Sequence, residues 1–104
     1  MTVGEIVALV PDLMDRSRVS AALPEARFTR DPADCAGATV VLVDLARHAG
    51  EVAAVRAAAP AARIVAFGPH VDDDALDRAR ADGADTVLPR SRFFADVAGA
   101  ARAG

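Results

Sequence analysis

The sequence predicts an α/β fold: a parallel sheet covered by helices on both faces. Three observations carry this. The runs EIVALV (residues 5–10), TVVLV (39–43) and RIVAF (63–67) are almost continuously apolar, the pattern of strands buried on both faces. The segments between them place aliphatic and small side chains at helical spacing. Pro or Gly punctuates the junctions, at Pro11, Pro24, Pro60, Gly68-Pro69 and Gly83.

Residues 5–10 form the first strand, broken by Pro11 and Asp12. A helix over about 13–23 turns Val19, Ala22 and Leu23 to one face and stops at Pro24. Residues 27–29 make a brief second strand. Residues 31–37 are turn-like and hold at most one helical turn, so the second helix is shortened or absent. TVVLV is the third strand, and Asp44 follows it directly. An Ala-rich helix over 49–59 buries Val52, Val55 and Ala59 and is stopped by Pro60. RIVAF is the fourth strand, and Gly68 and Pro69 form the turn after it. Asp72 is placed to cap a helix running to about Asp82, with Ala75, Leu76 and Ala79 inward and Gly83 at its end. Residues 86–88 are the last strand. Ser91 is placed to cap a final helix on which Phe94, Val97, Ala98 and Ala101 recur at i, i+3, i+4 and i+7. The strand order expected is 2-1-3-4-5, the flavodoxin-like doubly wound arrangement, in a single domain over 1–104.

Hydrophobic residues make up 53% of the chain and aromatic ones only 4%, so the core must be aliphatic. The net charge of −3 offers no bulk attraction to DNA or RNA. All 12 basic residues are Arg, which bears on the site described next. The one cysteine, Cys35, has no disulfide partner and no Cys/His ligand pattern around it, and reads as a core bystander in a reducing compartment. No stretch approaches the length of a membrane span, and residues 1–10 lack the basic region and long apolar run of a signal peptide. A cytoplasmic location is expected. There is no GxGxxG, no P-loop and no GxSxG elbow, so ordinary enzymatic turnover is not expected.

Ligands of open α/β sheets bind beyond the carboxyl ends of the strands. Those positions hold Pro11 and Asp12, then Asp44, then Gly68, Pro69 and His70, then Pro89, Arg90 and Ser91. Asp12 is a metal ligand or the cap of the first helix. His70 binds an anion, shuttles a proton, or stands in solvent. Arg47, Arg90 and Arg92 form an anion pocket or are scattered surface charge. The run Asp72-Asp73-Asp74 looks like a metal site and equally like a helix start using the dipole.

The strand ends EIVALVPD, TVVLVDL and RIVAFGP, with the closing Ala-Asp-Gly-Ala-Asp-Thr-Val-Leu-Pro-Arg of residues 81–90, resemble a response-regulator receiver domain of the CheY-like family. The resemblance covers nearly the whole chain. It implies a phosphoacceptor at Asp44 and a Mg2+ site using Asp12 and Asp44. It also implies phosphoryl contacts at Gly68 and Arg90, where receivers carry a hydroxyl residue and a lysine. The match is degenerate: Pro11 takes the place of one acid, Gly68 has no hydroxyl, Arg90 replaces the lysine and Ser91 the following proline. A guanidinium fork is not equivalent to a compact ammonium.

Three functions follow from this. One is a pseudo-receiver that binds a protein partner or itself without phosphorylation. Another is a phosphorelay receiver served by a histidine kinase through Asp44. The third is an anion or phosphometabolite sensor using Gly68, His70, Arg90 and Ser91. The expected contact face is 72–101, with Leu76, Arg80, Val97 and an exposed Phe93 as anchors, Phe94 having the inward phase.

Overall fold

The computed structural model of the chain describes residues 5–69 and 73–102. The strands are β1 (Ile6–Leu9), β2 (Arg27–Phe28), β3 (Val40–Asp44), β4 (Arg63–Gly68) and β5 (Thr86–Pro89). They form one parallel sheet in the order β2-β1-β3-β4-β5, as the sequence predicts. The helices are α1 (Leu13–Ala22), α2 (Leu45–His48), α3 (Val52–Ala58), α4 (Asp73–Ala81), α5 (Arg90–Ala95) and α6 (Val97–Arg102).

Because neighbouring strand residues point to opposite faces, each central strand feeds two cores. Val41, Val43, Ile64 and Ala66 join Val52, Val55, Leu76 and Ala79 on one side. Leu42, Val65 and Phe67 join Val19, Leu23, Phe93, Val97 and Ala101 on the other. The first core is aliphatic; the second holds the stacked rings of Phe67 and Phe93, with centroids 4.2 Å apart.

No α-helix forms between β2 and β3. A single 3₁₀ turn, Pro32–Cys35, stands there and packs against α3. Asp31 accepts from the Ala33 N–H at 3.0 Å, and Thr29 donates to Asp34 at 2.6 Å. Arg27 ties the turn to β1 by bonding both Glu5 and the Asp34 carbonyl. Cys35 is fully buried under this turn, and burial pushes its thiol up to about 11.

The strands run one residue further than their apolar cores. Asp44, Gly68 and Pro89 are the last residues of β3, β4 and β5, so Gly68 belongs to a strand and not to the turn. Asp72 and His70 lie outside the described residues. Gly83 ends α4 as expected, at φ +120°, a conformation that glycine takes readily.

The final helix departs from expectation. It is two helices, separated at Asp96. Its inward residues are Phe93, Val97 and Ala101. Phe93 is fully buried, and Phe94 is the half-buried ring beside it. The expectation of an exposed Phe93 is therefore overturned. Leu76 and Val97 are likewise core side chains and cannot serve as surface anchors. Of the four, Arg80 is exposed, paired with Asp77 at 3.0 Å. Ser91 does not cap the helix: α5 begins at Arg90 after Pro89, and Ser91 lies exposed in its first turn.

Candidate functional site

The parallel register aligns the strand ends. Asp44 pairs with Phe67, and Gly68 with Pro89. The carboxyl ends of β1, β3, β4 and β5 thus lie along one edge, where α1, α2 and α5 begin.

Asp12 is exposed, and its side chain accepts from the Asp15 N–H at 3.0 Å, capping α1. Between the two readings of Asp12, the hydrogen bond present is the cap. Asp15, one turn further on, is only 3% exposed. Arg90 reaches it from the start of α5 and forks over the whole carboxylate: Nη1 donates to Oδ2 at 2.8 Å and Nη2 to Oδ1. The guanidinium also lies 4.8 Å from the centre of the Phe94 ring, beside Arg18 at 4.2 Å. Arg90 and Ser91 line a shallow depression with Arg18, Phe94 and Ala95. Arg90 is therefore spent on Asp15.

Asp44 is 3% exposed, and its Oδ1 accepts from the Ala46 N–H at 2.9 Å, capping α2. Burial raises its carboxyl above the usual range. The Ala46 N–H works against that shift, Asp15 adds to it, and Arg90 and His48 oppose it. His48, nearly buried at the end of α2, bonds Glu51 through Nδ1 at 2.7 Å.

Gly68 stands beneath Leu45. A Cβ at residue 68 would lie 3.2 Å from the Leu45 Cβ, so a side chain here would press a buried leucine by a few tenths of an ångström. Hydrocarbon therefore crowds the end of β4 at Gly68.

Asp15, Leu45 and His48 were not singled out from sequence. Asp15 had a signal: it stands four residues before Val19, in the inward phase of α1, and a carboxylate there needs a cation to pair with. The pattern does not name that cation, which comes from 75 residues away.

No protein-family model matches the chain, and no curated protein is similar to it in sequence. Solved structures are similar in shape. A response regulator from Burkholderia pseudomallei, with a phosphorylated aspartic acid and a calcium ion, superposes with a TM-score of 0.81. It is 15% identical, over 97% of this chain and 68% of its own. The fold is that of response-regulator receiver domains. A receiver domain from Clostridium thermocellum superposes at 0.76, with 15% identity over 94% and 90% of the two chains. A CheY-like protein, tadZ, from Pseudomonas aeruginosa gives 0.72, with 17% identity over 93% and 95%.

The receiver fold implies Mg2+ at this edge, and the residues present do not fit it. Pro11 has no carboxylate, Asp12 caps its helix in solvent, and both oxygens of Asp15 are taken by Arg90. Among the described residues no three acidic, His or Cys side chains form a metal-binding group. Nor is any helix among them long and apolar enough to cross a membrane.

Proposed function

We propose that this chain is a pseudo-receiver: a signalling module of the receiver fold that acts by protein contact, without phosphorylation of Asp44. The observation that carries the reading is the Arg90–Asp15 fork. A cation needed to draw phosphoryl oxygens toward Asp44 is instead bound to a buried carboxylate of the chain itself. Gly68, which has no hydroxyl and stands crowded against Leu45, supports the same reading. Its partner is a protein. The surface open to one includes the charged face of α4, with Arg78 and Arg80, and the exposed Leu13 and Met14 at the tip of α1.

A second reading is favoured by one observation. Asp44 ends β3 as a buried carboxylate, in a fold whose Burkholderia neighbour carries a phosphorylated aspartic acid. On that reading a histidine kinase is the upstream partner.

Intact-mass measurement of the folded chain after incubation with acetyl phosphate, with and without Mg2+, separates the two. The expected result is an unchanged mass for both wild type and Asp44→Asn. A Mg2+-dependent phosphoryl adduct absent from Asp44→Asn would make the chain a phosphoacceptor and overturn the pseudo-receiver.

A further inference from the structure

The misfit between this acidic edge and a metal ion has its own physical content. We propose that the Arg90 guanidinium is an internal replacement for a divalent cation: it neutralises the edge formed by Asp15 and Asp44 and keeps Mg2+ out of it. This deepens the pseudo-receiver reading and rests on the same edge.

Asp15 from α1 and Asp44 from β3 are each 3% exposed. Two carboxylates withdrawn from water, one in the first turn of α1 and one at the end of β3, need a positive charge near them. Arg90 supplies it in a fixed place. Its fork engages both oxygens of Asp15, and the Phe94 ring lies within cation–π distance. Asp44 uses one oxygen on the Ala46 N–H, and the charge of Arg90 favours its ionised form against burial and the neighbouring Asp15.

A guanidinium and a divalent ion exclude one another here. A guanidinium and a divalent ion sharing one carboxylate repel each other, more so where that carboxylate is buried. Mg2+ also demands a near-octahedral oxygen shell, and Asp15 has no unbonded oxygen to contribute. Removal of the guanidinium leaves two buried carboxylates unbalanced. Two carboxylates completed by water are a usual Mg2+ ligand set. The cation site is thus latent, and Arg90 is what closes it.

The test is thermal unfolding of the full chain in NaCl and in MgCl2 or MnCl2 at matched ionic strength. Wild type is compared with Arg90→Ala, Arg90→Gln and the double variant Arg90→Ala/Asp15→Asn. Wild type should melt at the same temperature in every salt. Arg90→Ala and Arg90→Gln should melt about 5–10 °C lower in NaCl and regain at least half of that loss in divalent salt. The double variant should lose the divalent response. Arg90→Gln, neutral and close in size, decides the matter if Arg90→Ala does not fold. The proposal is overturned if neither Arg90 variant responds to divalent ions more than wild type does, or if rescue survives without Asp15. Absence of rescue would leave the pseudo-receiver reading standing. A phosphoryl adduct on wild-type Asp44 would overturn that reading whatever the variants do.

Discussion

Asp44 is a carboxylate kept from water at the end of a central strand, with one oxygen satisfied by a backbone amide. Its raised pKa has a stability consequence of definite sign. The folded state holds the Asp44 proton more tightly than the unfolded chain does. Ionisation therefore costs stability at all pH values above the folded pKa. That cost shrinks as pH falls through the folded pKa and is gone below the unfolded value of about 3.9. Asp44→Asn keeps the acceptor for Ala46 and removes the charge. It should stabilise the fold at neutral pH by on the order of 1 kcal/mol. The gain should vanish as the pH approaches 4, as read from melting curves across pH. An Asn variant less stable than wild type at pH 7 would mean that Arg90 holds Asp44 more strongly than burial disfavours it. Asp44, Asp12, Gly68 and Arg90 were all legible as strand-end residues. What each side chain bonds was not, because a hydrogen-bond partner 75 positions away leaves no local pattern.

The end of α4 and the start of β5 are held by one side chain of another helix. Arg56 on α3 donates to the carbonyls of Ala59, Pro60, Ala62 and Gly83, and to the Asp85 carboxylate at 2.6 Å. Asp85 in turn accepts from the Ile64 N–H at 2.8 Å. Burial pushes the Asp85 carboxyl up, but the Ile64 amide and Arg56 outweigh it and hold it below the usual range. Its contribution to stability is therefore present above the unfolded carboxylate pKa and is lost as pH falls through the folded one. Arg56→Ala should cost about 2–4 kcal/mol in urea unfolding, and Arg56→Lys most of that, since an ammonium cannot span the same acceptors. Gly83→Ala should cost at least about 1 kcal/mol. Its φ is +120°, and the new methyl would meet the Arg56 Cβ and Cγ at 3.0 Å. A neutral result for Gly83→Ala would show that this turn relaxes freely. Gly83 as a helix end was legible, because few residues tolerate that backbone. The break at Asp96 was not. There the carboxylate accepts from the Gly99 N–H at 2.9 Å and starts a new helix, whereas an unbroken apolar period suggests one continuous helix.

At the scale of the molecule, the sheet couples two cores through its own strands. β4 sends Ile64 and Ala66 to the aliphatic core and Val65 and Phe67 to the aromatic one. A cavity on either face therefore weakens the same strand. Phe93→Ala should cost about 3–5 kcal/mol and Ile64→Val about 0.5–1.5 kcal/mol. Both should shift one common denaturant transition with its slope unchanged. Two separable transitions, or a near-neutral Phe93→Ala, would contradict a coupled core with Phe93 at its centre. The first of these losses is a large share of a small domain's stability of about 5–15 kcal/mol.

Strand identity and strand order were determined by the sequence itself, whereas the short helix Leu45–His48 and the 3₁₀ turn Ala49–Glu51, where a single helix over 49–59 was expected, were not. Continuous apolar runs, helical periods and Pro or Gly punctuation are local signals, and handedness and connection rules do the rest. The positions of Asp12, Asp44, Gly68 and Arg90 at one edge followed from that order, because all strands of a parallel sheet end on the same side. Tertiary structure alone decided which Phe of the pair 93–94 is buried, that Leu45 fills the space above Gly68, and that Arg90 answers Asp15. Each of these depends on contacts between elements far apart in the chain. A side chain's partner is set by the packed geometry of two elements, and periodicity within one of them carries no information about the other.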